Sequence, residues 1–131
     1  MPIRYWEMIW AGDVVTYASR GVNGIDGQVS TAVGIARACS SKVHCLIGDI
    51  TFLYDFNIMV EKLPANLEIW VIDNKGGRIF ERVNVSDKMI LSEYLPLNEL
   101  IPGGEFGHNK INIIAPSLSE TRNFWEQWNE L

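Results

Sequence analysis

Asp49 and Asn74 are the residues through which this chain could do chemistry. Asp49 follows Gly48 at the end of the apolar run Val43–Ile47, and Asn74 lies in the polar turn Asp73-Asn74-Lys75-Gly76-Gly77 that closes a second apolar run, Leu67–Ile72. Between them, Thr51–Leu63 carries helix-like apolar spacing at Phe52, Phe56, Met59 and Leu63 and stops at Pro64. A strand–helix–strand unit of this length predicts a right-handed parallel crossover. Both polar turns then fall at the carboxyl ends of nearby parallel strands, where open α/β sheets place ligands. A carboxylate at Asp49, an amide oxygen at Asn74 and glycine carbonyls at Gly76 form a set of hard oxygen donors. Such a set suits Mg²⁺, which takes few protein oxygens and fills its shell with water and phosphate oxygens. Gly48-Asp49 also opens a helix, whose first N–H groups at Ile50 and Thr51 favour a phosphate.

The elements that position these residues can be taken in order. Met1–Trp10 predicts a short helix with packed tryptophans, and Asp13–Ala18 (DVVTYA) predicts a short strand. Ser19–Gly27 is turn-rich, with three glycines that permit close approach to a ligand. Asp26 is placed to cap the helix Gly27–Cys39, whose small residues suit close packing. Arg20, just before the glycines, carries a guanidinium suited to a carboxylate. His44 lies on an apolar strand, Cys45 reads as core and His108 as solvated. After Phe80 the pattern weakens to one helix and a loop over Glu81–Ile101, with a turn at Pro102–Gly107. Lys110–Ala115 reads as a last buried strand. Ser117–Leu131 reads as a helix with Ser117 as N-cap, Glu120 in capping-box position, and Phe124, Trp125, Trp128 and Leu131 on its apolar face.

Four stretches carry a resemblance to a known family. Gly48-Asp49 with Asp73-Asn74 is similar to the thiamine-diphosphate fingerprint Gly-Asp-Gly…Asn-Asn, with Ile50 and Asp73 as departures. SRGVNGIDGQVSTAVGIA (Ser19–Ala36) and NKGGRIF (Asn74–Phe80) resemble the MenD-like synthases of the menaquinone pathway, whose sequences run Asn-Arg-Gly-x-x-Gly-Ile-Asp-Gly and, later, Asn-Asn-Asn-Gly-Gly-x-Ile-Phe. Met1-Pro2-Ile3-Arg4 is similar to the Ser-x-Pro-x-Arg segment that opens the last domain of those enzymes. The resemblance covers roughly Met1 to Phe80. The family's longer segment between Ile-Phe and the last strand is abbreviated here.

The resemblance implies roles residue by residue. Asp49, Asn74 and the Gly76 carbonyl would hold Mg²⁺. Asp49, Ile50, Thr51 and Asn74 would hold the diphosphate, and Ile25 would lie under the bent cofactor between its two rings. Arg4 and Arg20 would bind substrate carboxylates, and Ile79 and Phe80 would line the substrate pocket. The activating glutamate of the family lies on a separate pyrimidine-binding domain, so no catalytic residue is expected within this chain.

Length and composition bound the rest. A chain of 131 residues with 47% hydrophobic content is expected to make one domain with a real core; the resemblance implies that this is the diphosphate-binding domain, with no room for a pyrimidine-binding one. A net charge of −5 makes nucleic acid an unsuitable partner. No apolar run approaches a membrane span, and no secretion signal opens the chain, so a cytoplasmic protein without a membrane partner is expected. Two cysteines without metal-ligand spacing fit a reduced compartment. The expected fold is α/β: a three-layer, doubly wound, mainly parallel sheet. Three functions fit these residues. One is the thiamine-diphosphate half of a MenD-like synthase that needs a pyrimidine-binding domain or chain. The others are a small subunit of a split 2-oxo-acid decarboxylase and a non-catalytic module that keeps the fold. A half-site domain would also expose an apolar face, so a homo-oligomer is expected.

Overall fold

The structure is a computed structural model, and it describes residues 6, 12–19, 24–76, 97–102, 105–106, 109–117 and 119–120. In chain order the elements are helix α1 (Gln28–Ala38), strand β1 (Val43–Gly48), helix α2 (Asp49–Tyr54), a 3₁₀ helix (Phe56–Val60), strand β2 (Leu67–Ile72), the single-turn helix α3 (Leu97–Leu100), and strands β3 (Glu105–Phe106) and β4 (Asn109–Ile114). The strand order is β1-β2-β4-β3. β1 and β2 run parallel with Val43 opposite Leu67 and Gly48 opposite Ile72, and β2 and β4 run parallel with Ile69 opposite Ile111. Only the two-residue β3 is antiparallel to its neighbour. The fold is therefore α/β with a mainly parallel sheet.

Side chains alternate across a strand, and here the alternation sorts the sheet into two unlike faces. Cys45, Ile47, Leu67, Ile69, Val71 and Ile111 are buried on one face. They join Val29, Ala32, Val33 and Ala36 of α1, with Phe52, Met59, Leu63, Leu97 and Ile101, in one core. The small residues of α1 let it lie close to the strands. The opposite face carries His44, Leu46, Trp70, Ile72, Asn112 and Ile114, all exposed or half-buried. There Glu68 collects Lys42 Nζ at 2.9 Å and the Asn112 amide at 3.2 Å, and His44 Nδ1, 3.3 Å away, pairs with it only when protonated and not while accepting from Trp70. The Trp70 indole N–H donates to His44 Nδ1 at 3.2 Å. Lys42 foremost holds the Glu68 carboxyl below its ordinary range, with help from Asn112 and His44.

Four expectations need correction. Asp13–Ala18 is no strand: residues 12–19 are irregular and exposed, with Val15 at 76%. β-branched residues make a strand only where a neighbour pairs with them and a face is buried, and among the described residues this segment has neither. The helix opens at Asp49 as expected, but the helical pattern to Leu63 is not one helix: it breaks at Asp55, where the backbone turns to φ −112° and ψ 18° before the 3₁₀ helix. Asp26 does not cap α1. The N-cap is Gly27, in the left-handed region at φ 71°, and no side chain of its own turn caps the helix. The Gly-rich turn at Pro102–Gly107 contains the short strand β3, whose pairing with β4 satisfies its backbone.

The ends of α1 are held by other segments instead. At the N-terminal end, the Ser30 N–H donates to Asp55 Oδ2 at 2.6 Å and the Ser30 hydroxyl to Asp55 Oδ1 at 2.9 Å. At the C-terminal end, the Asn66 amide donates to the carbonyls of Ala36, Cys39 and Ser41 at 3.0, 3.1 and 2.9 Å. Helices leave four N–H and four C=O groups unpaired at their ends, and here the crossover between β1 and β2 supplies partners at both. Ser117 and Glu120 form the expected reciprocal box: Ser117 N–H and Oγ–H donate to Glu120 Oε2 at 2.8 and 2.7 Å, and Glu120 N–H donates back to Ser117 Oγ at 3.2 Å.

Candidate diphosphate and metal site

β1 and β2 are neighbours in the sheet, so the turns that follow them meet at one sheet end. Gly48, extended at φ −84°, ends β1 and leads directly into α2. Asp49 is thus the first residue of the helix, and its side chain is 3% exposed. Its Oδ1 accepts the Ile50 N–H at 2.8 Å. Its Oδ2 accepts the Gly76 N–H at 2.9 Å, from the turn after β2. The two turns therefore close on one carboxylate. An ionised carboxylate has roughly four acceptor sites, so Asp49 can take both backbone donors and a further interaction besides.

The second turn is built around Asp73, 3% exposed. Its N–H donates to the Ile114 carbonyl at 2.8 Å, which carries the pairing of β2 and β4 one residue further. Its Oδ1 accepts the Lys75 N–H at 3.1 Å, and its Oδ2 meets Lys75 Nζ at 2.7 Å. Lys75 sits at φ 65° and Gly76 at φ 100°. A left-handed conformation costs a non-glycine residue about 1–2 kcal/mol, and the double contact with Asp73 offsets it. Strain of this kind collects at ligand-binding turns. Between Asp73 and Lys75 lies Asn74, whose Oδ1 is buried and accepts no hydrogen bond, while the residue is engaged otherwise.

The structure brings Asp49, Ile50 and Gly76 into direct contact and sets Asn74 on the same turn as Gly76. Gly76 meets Asp49 through its N–H. Thr51 is half-buried on α2, and Ile25 is 39% exposed just before α1. Arg4, Arg20, Ile79 and Phe80 lie outside the described residues. Among the described residues no group of three or more His, Cys, Asp or Glu could hold a metal. The donors here are of another kind: one carboxylate, one amide oxygen and backbone. That set fits a hard ion that shares its shell with phosphate, so the residues present fit Mg²⁺ with a diphosphate. The sequence placed Asp55 on the helix after the acidic turn and gave it little chemistry; its 5% exposure and its bond to α1 depend on how the crossover folds back.

Comparison with known proteins supplies the family. No family model matches the chain. A 2-succinyl-5-enolpyruvyl-6-hydroxy-3-cyclohexene-1-carboxylate synthase of Desulfotalea psychrophila is 47% identical over 85 residues, 63% of this chain and 16% of that protein. The synthase of the same name from Leuconostoc citreum is 44% identical over 84 residues, 61% of this chain and 16% of its own length. That of Shewanella baltica is 31% identical over 137 aligned residues, which cover 99% of this chain and 23% of that protein. The chain thus spans about a sixth to a quarter of the length of these relatives. No helix among the described residues is long and apolar enough to cross a membrane. By sequence, this chain is a relative of the 2-succinyl-5-enolpyruvyl-6-hydroxy-3-cyclohexene-1-carboxylate synthases, matching one segment of them.

Proposed function

We propose that this chain is the diphosphate-binding part of a thiamine-diphosphate- and Mg²⁺-dependent synthase of menaquinone biosynthesis. The reaction in question decarboxylates 2-oxoglutarate and adds the four-carbon product to isochorismate. The observation that carries the reading is the closure of two strand-end turns on the Asp49 carboxylate. Sequence similarity to the named synthases runs through both turns and supports it.

Thiamine diphosphate, when bound, supplies the carbanion chemistry, and the protein supplies binding and orientation. In this reading Asp49, Asn74 and the Gly76 carbonyl hold the ion, and Asp49, Ile50, Thr51 and Asn74 face the diphosphate. Ile25 supports the bent cofactor. Arg4 and Arg20 bind carboxylates, and Ile79 and Phe80 line the substrate pocket. A pyrimidine-binding domain or chain supplies the activating glutamate, so the chain is inactive without it. Self-association and a cytoplasmic site of action belong to the same reading. The exposed Val14, Val15 and Tyr17 offer apolar surface for a partner.

Titration calorimetry with Mg²⁺ and thiamine diphosphate tests the proposal, with and without a pyrimidine-binding domain from one of the named synthases. The expected result is weak, Mg²⁺-dependent binding that strengthens with the added domain and disappears in Asp49→Ala. Equal heats for wild type and Asp49→Ala in both settings would reject the cofactor and leave a non-catalytic module.

A further inference from the structure

We infer that Asp55 is a positioning residue, which sets the segment before α1, and with it Ile25, relative to Asp49. The inference rests on the proposed cofactor reading for its functional meaning, and on geometry for its mechanics.

α2 is six residues long and carries an aspartate at each boundary: Asp49 opens it and Asp55 is its C-cap. Asp49 faces the turn after β2. Asp55 faces α1, where it takes both donors of Ser30. One short, stiff helix thus joins the carboxylate of the candidate site to the first turn of another helix. Among the described residues, the stretch just before that turn has few contacts of its own. Gly27 caps α1 without a side chain, and Gly24, Ile25 and Asp26 are exposed. Among the described residues the Gln28 side chain reaches the Asp26 carbonyl, at 3.4 Å.

A buried carboxylate is costly unless hydrogen-bonded. Both of its donors here come from one residue on a different element, 25 positions away. The placement near a helix N-terminus is favourable for a negative charge. A side-chain cap at position 27 is disfavoured, because φ 71° there suits only glycine, so the partner for this end of α1 comes from α2. The link is what the buried aspartate adds.

The test uses the full chain with Asp55→Ala, Asp55→Asn and Ser30→Ala, and two ligands: Mg²⁺ with inorganic pyrophosphate, and Mg²⁺ with thiamine diphosphate. Pyrophosphate engages only the strand-end turns, whereas thiamine diphosphate also reaches Ile25. Asp55→Ala is expected to weaken thiamine diphosphate about tenfold, the loss of a charged hydrogen bond, and to leave pyrophosphate unchanged. Asp55→Asn, which keeps one acceptor, is expected to recover part of the loss, and Ser30→Ala to show a smaller loss of the same kind. Equal weakening of both ligands, or of neither, would overturn the inference. Amide hydrogen exchange decides independently of any ligand. Faster exchange confined to residues 24–31 in Asp55→Ala supports the link, and unchanged or uniformly faster exchange rejects it. Should the wild type bind neither ligand, the cofactor reading fails, and exchange alone judges Asp55. If Asp55→Ala does not fold, Ser30→Ala carries both measurements.

Discussion

The Gly76 N–H donates to Asp49 Oδ2 at 2.9 Å and thereby ties the turn after β2 to the first residue of the helix after β1. The contact spans the whole crossover, so one side chain reports on the closure of the strand–helix–strand unit.

Replacing Asp49 should therefore cost stability as well as ligand. Asp49→Ala leaves the Ile50 and Gly76 N–H groups without this acceptor, at about 1–3 kcal/mol for each donor left buried. Water reaching the sheet end lowers the sum, so a loss of about 2–3 kcal/mol in urea unfolding is expected. Asp49→Asn, with one acceptor oxygen, should fall between. A wild-type midpoint in Asp49→Ala would show that the carboxylate does not hold the turns together.

Asp73 should tune anion affinity. Its buried carboxylate lies in the same turn as Asn74 and is met by Lys75 at 2.7 Å. Asp73→Asn removes a negative charge that opposes a diphosphate and leaves Lys75 available to one. Mg²⁺–pyrophosphate affinity should rise severalfold, and the gain should shrink with added salt. Calorimetry at two ionic strengths reads both effects, and a weakened affinity would contradict this account.

Cys45 should sense alkaline pH. Burial, and then the charge of Asp55, push its thiol up to about 11 from an ordinary 9.0. A raised folded-state pKa favours the protonated thiol. The associated stability is complete below pH 9.0 and is lost as pH rises towards 11. The loss amounts to about 2–3 kcal/mol at most, at 1.36 kcal/mol per pKa unit. Stability measured from pH 8 to 11 should fall more steeply in wild type than in Cys45→Ala, and parallel curves would refute this. Iodoacetamide should label the exposed Cys39 in the native state and Cys45 only on unfolding.

Glu68 predicts the opposite pH response. Its carboxyl is held below 4.5, chiefly by Lys42. A lowered folded-state pKa contributes stability above the ordinary value and loses it as pH falls through the folded one. Lys42→Met should raise the Glu68 pKa, visible in its carboxyl carbon resonance, and its stability difference from wild type should vanish in acid. An unmoved resonance would assign the shift to Asn112 and His44 instead.

Much of the fold was legible because burial wrote it into runs of residues. The strand over Leu67–Ile72 was read to the residue, and those over Val43–Gly48 and Asn109–Ile114 to within one at each end. Each is an apolar run closed by polar or glycine residues. The Ser117–Glu120 box was legible because both partners lie within one turn. What failed depended on distant partners. Val14, Val15 and Tyr17 have strand character but, among the described residues, no neighbour to pair with. Asp26 is adjacent to α1 yet Asp55, far along the chain, does the capping. In the candidate site, the turns of Asp49 and Asn74 could be placed at one sheet end from spacing alone. That Gly76 would meet Asp49 through its N–H, and that Lys75 would be left-handed, follow from the turn geometry and not from residue type.

α1 borrows both of its terminators, Asp55 at one end and Asn66 at the other, from the stretch that follows β1. The order of assembly follows. An isolated helix of 11 residues is below the length that is stable in water, and this one cannot be terminated properly until the crossover has formed. During synthesis, α1 should remain a fluctuating coil until the chain through Asn66 has emerged. Substitutions on its buried face should then change the unfolding rate more than the folding rate.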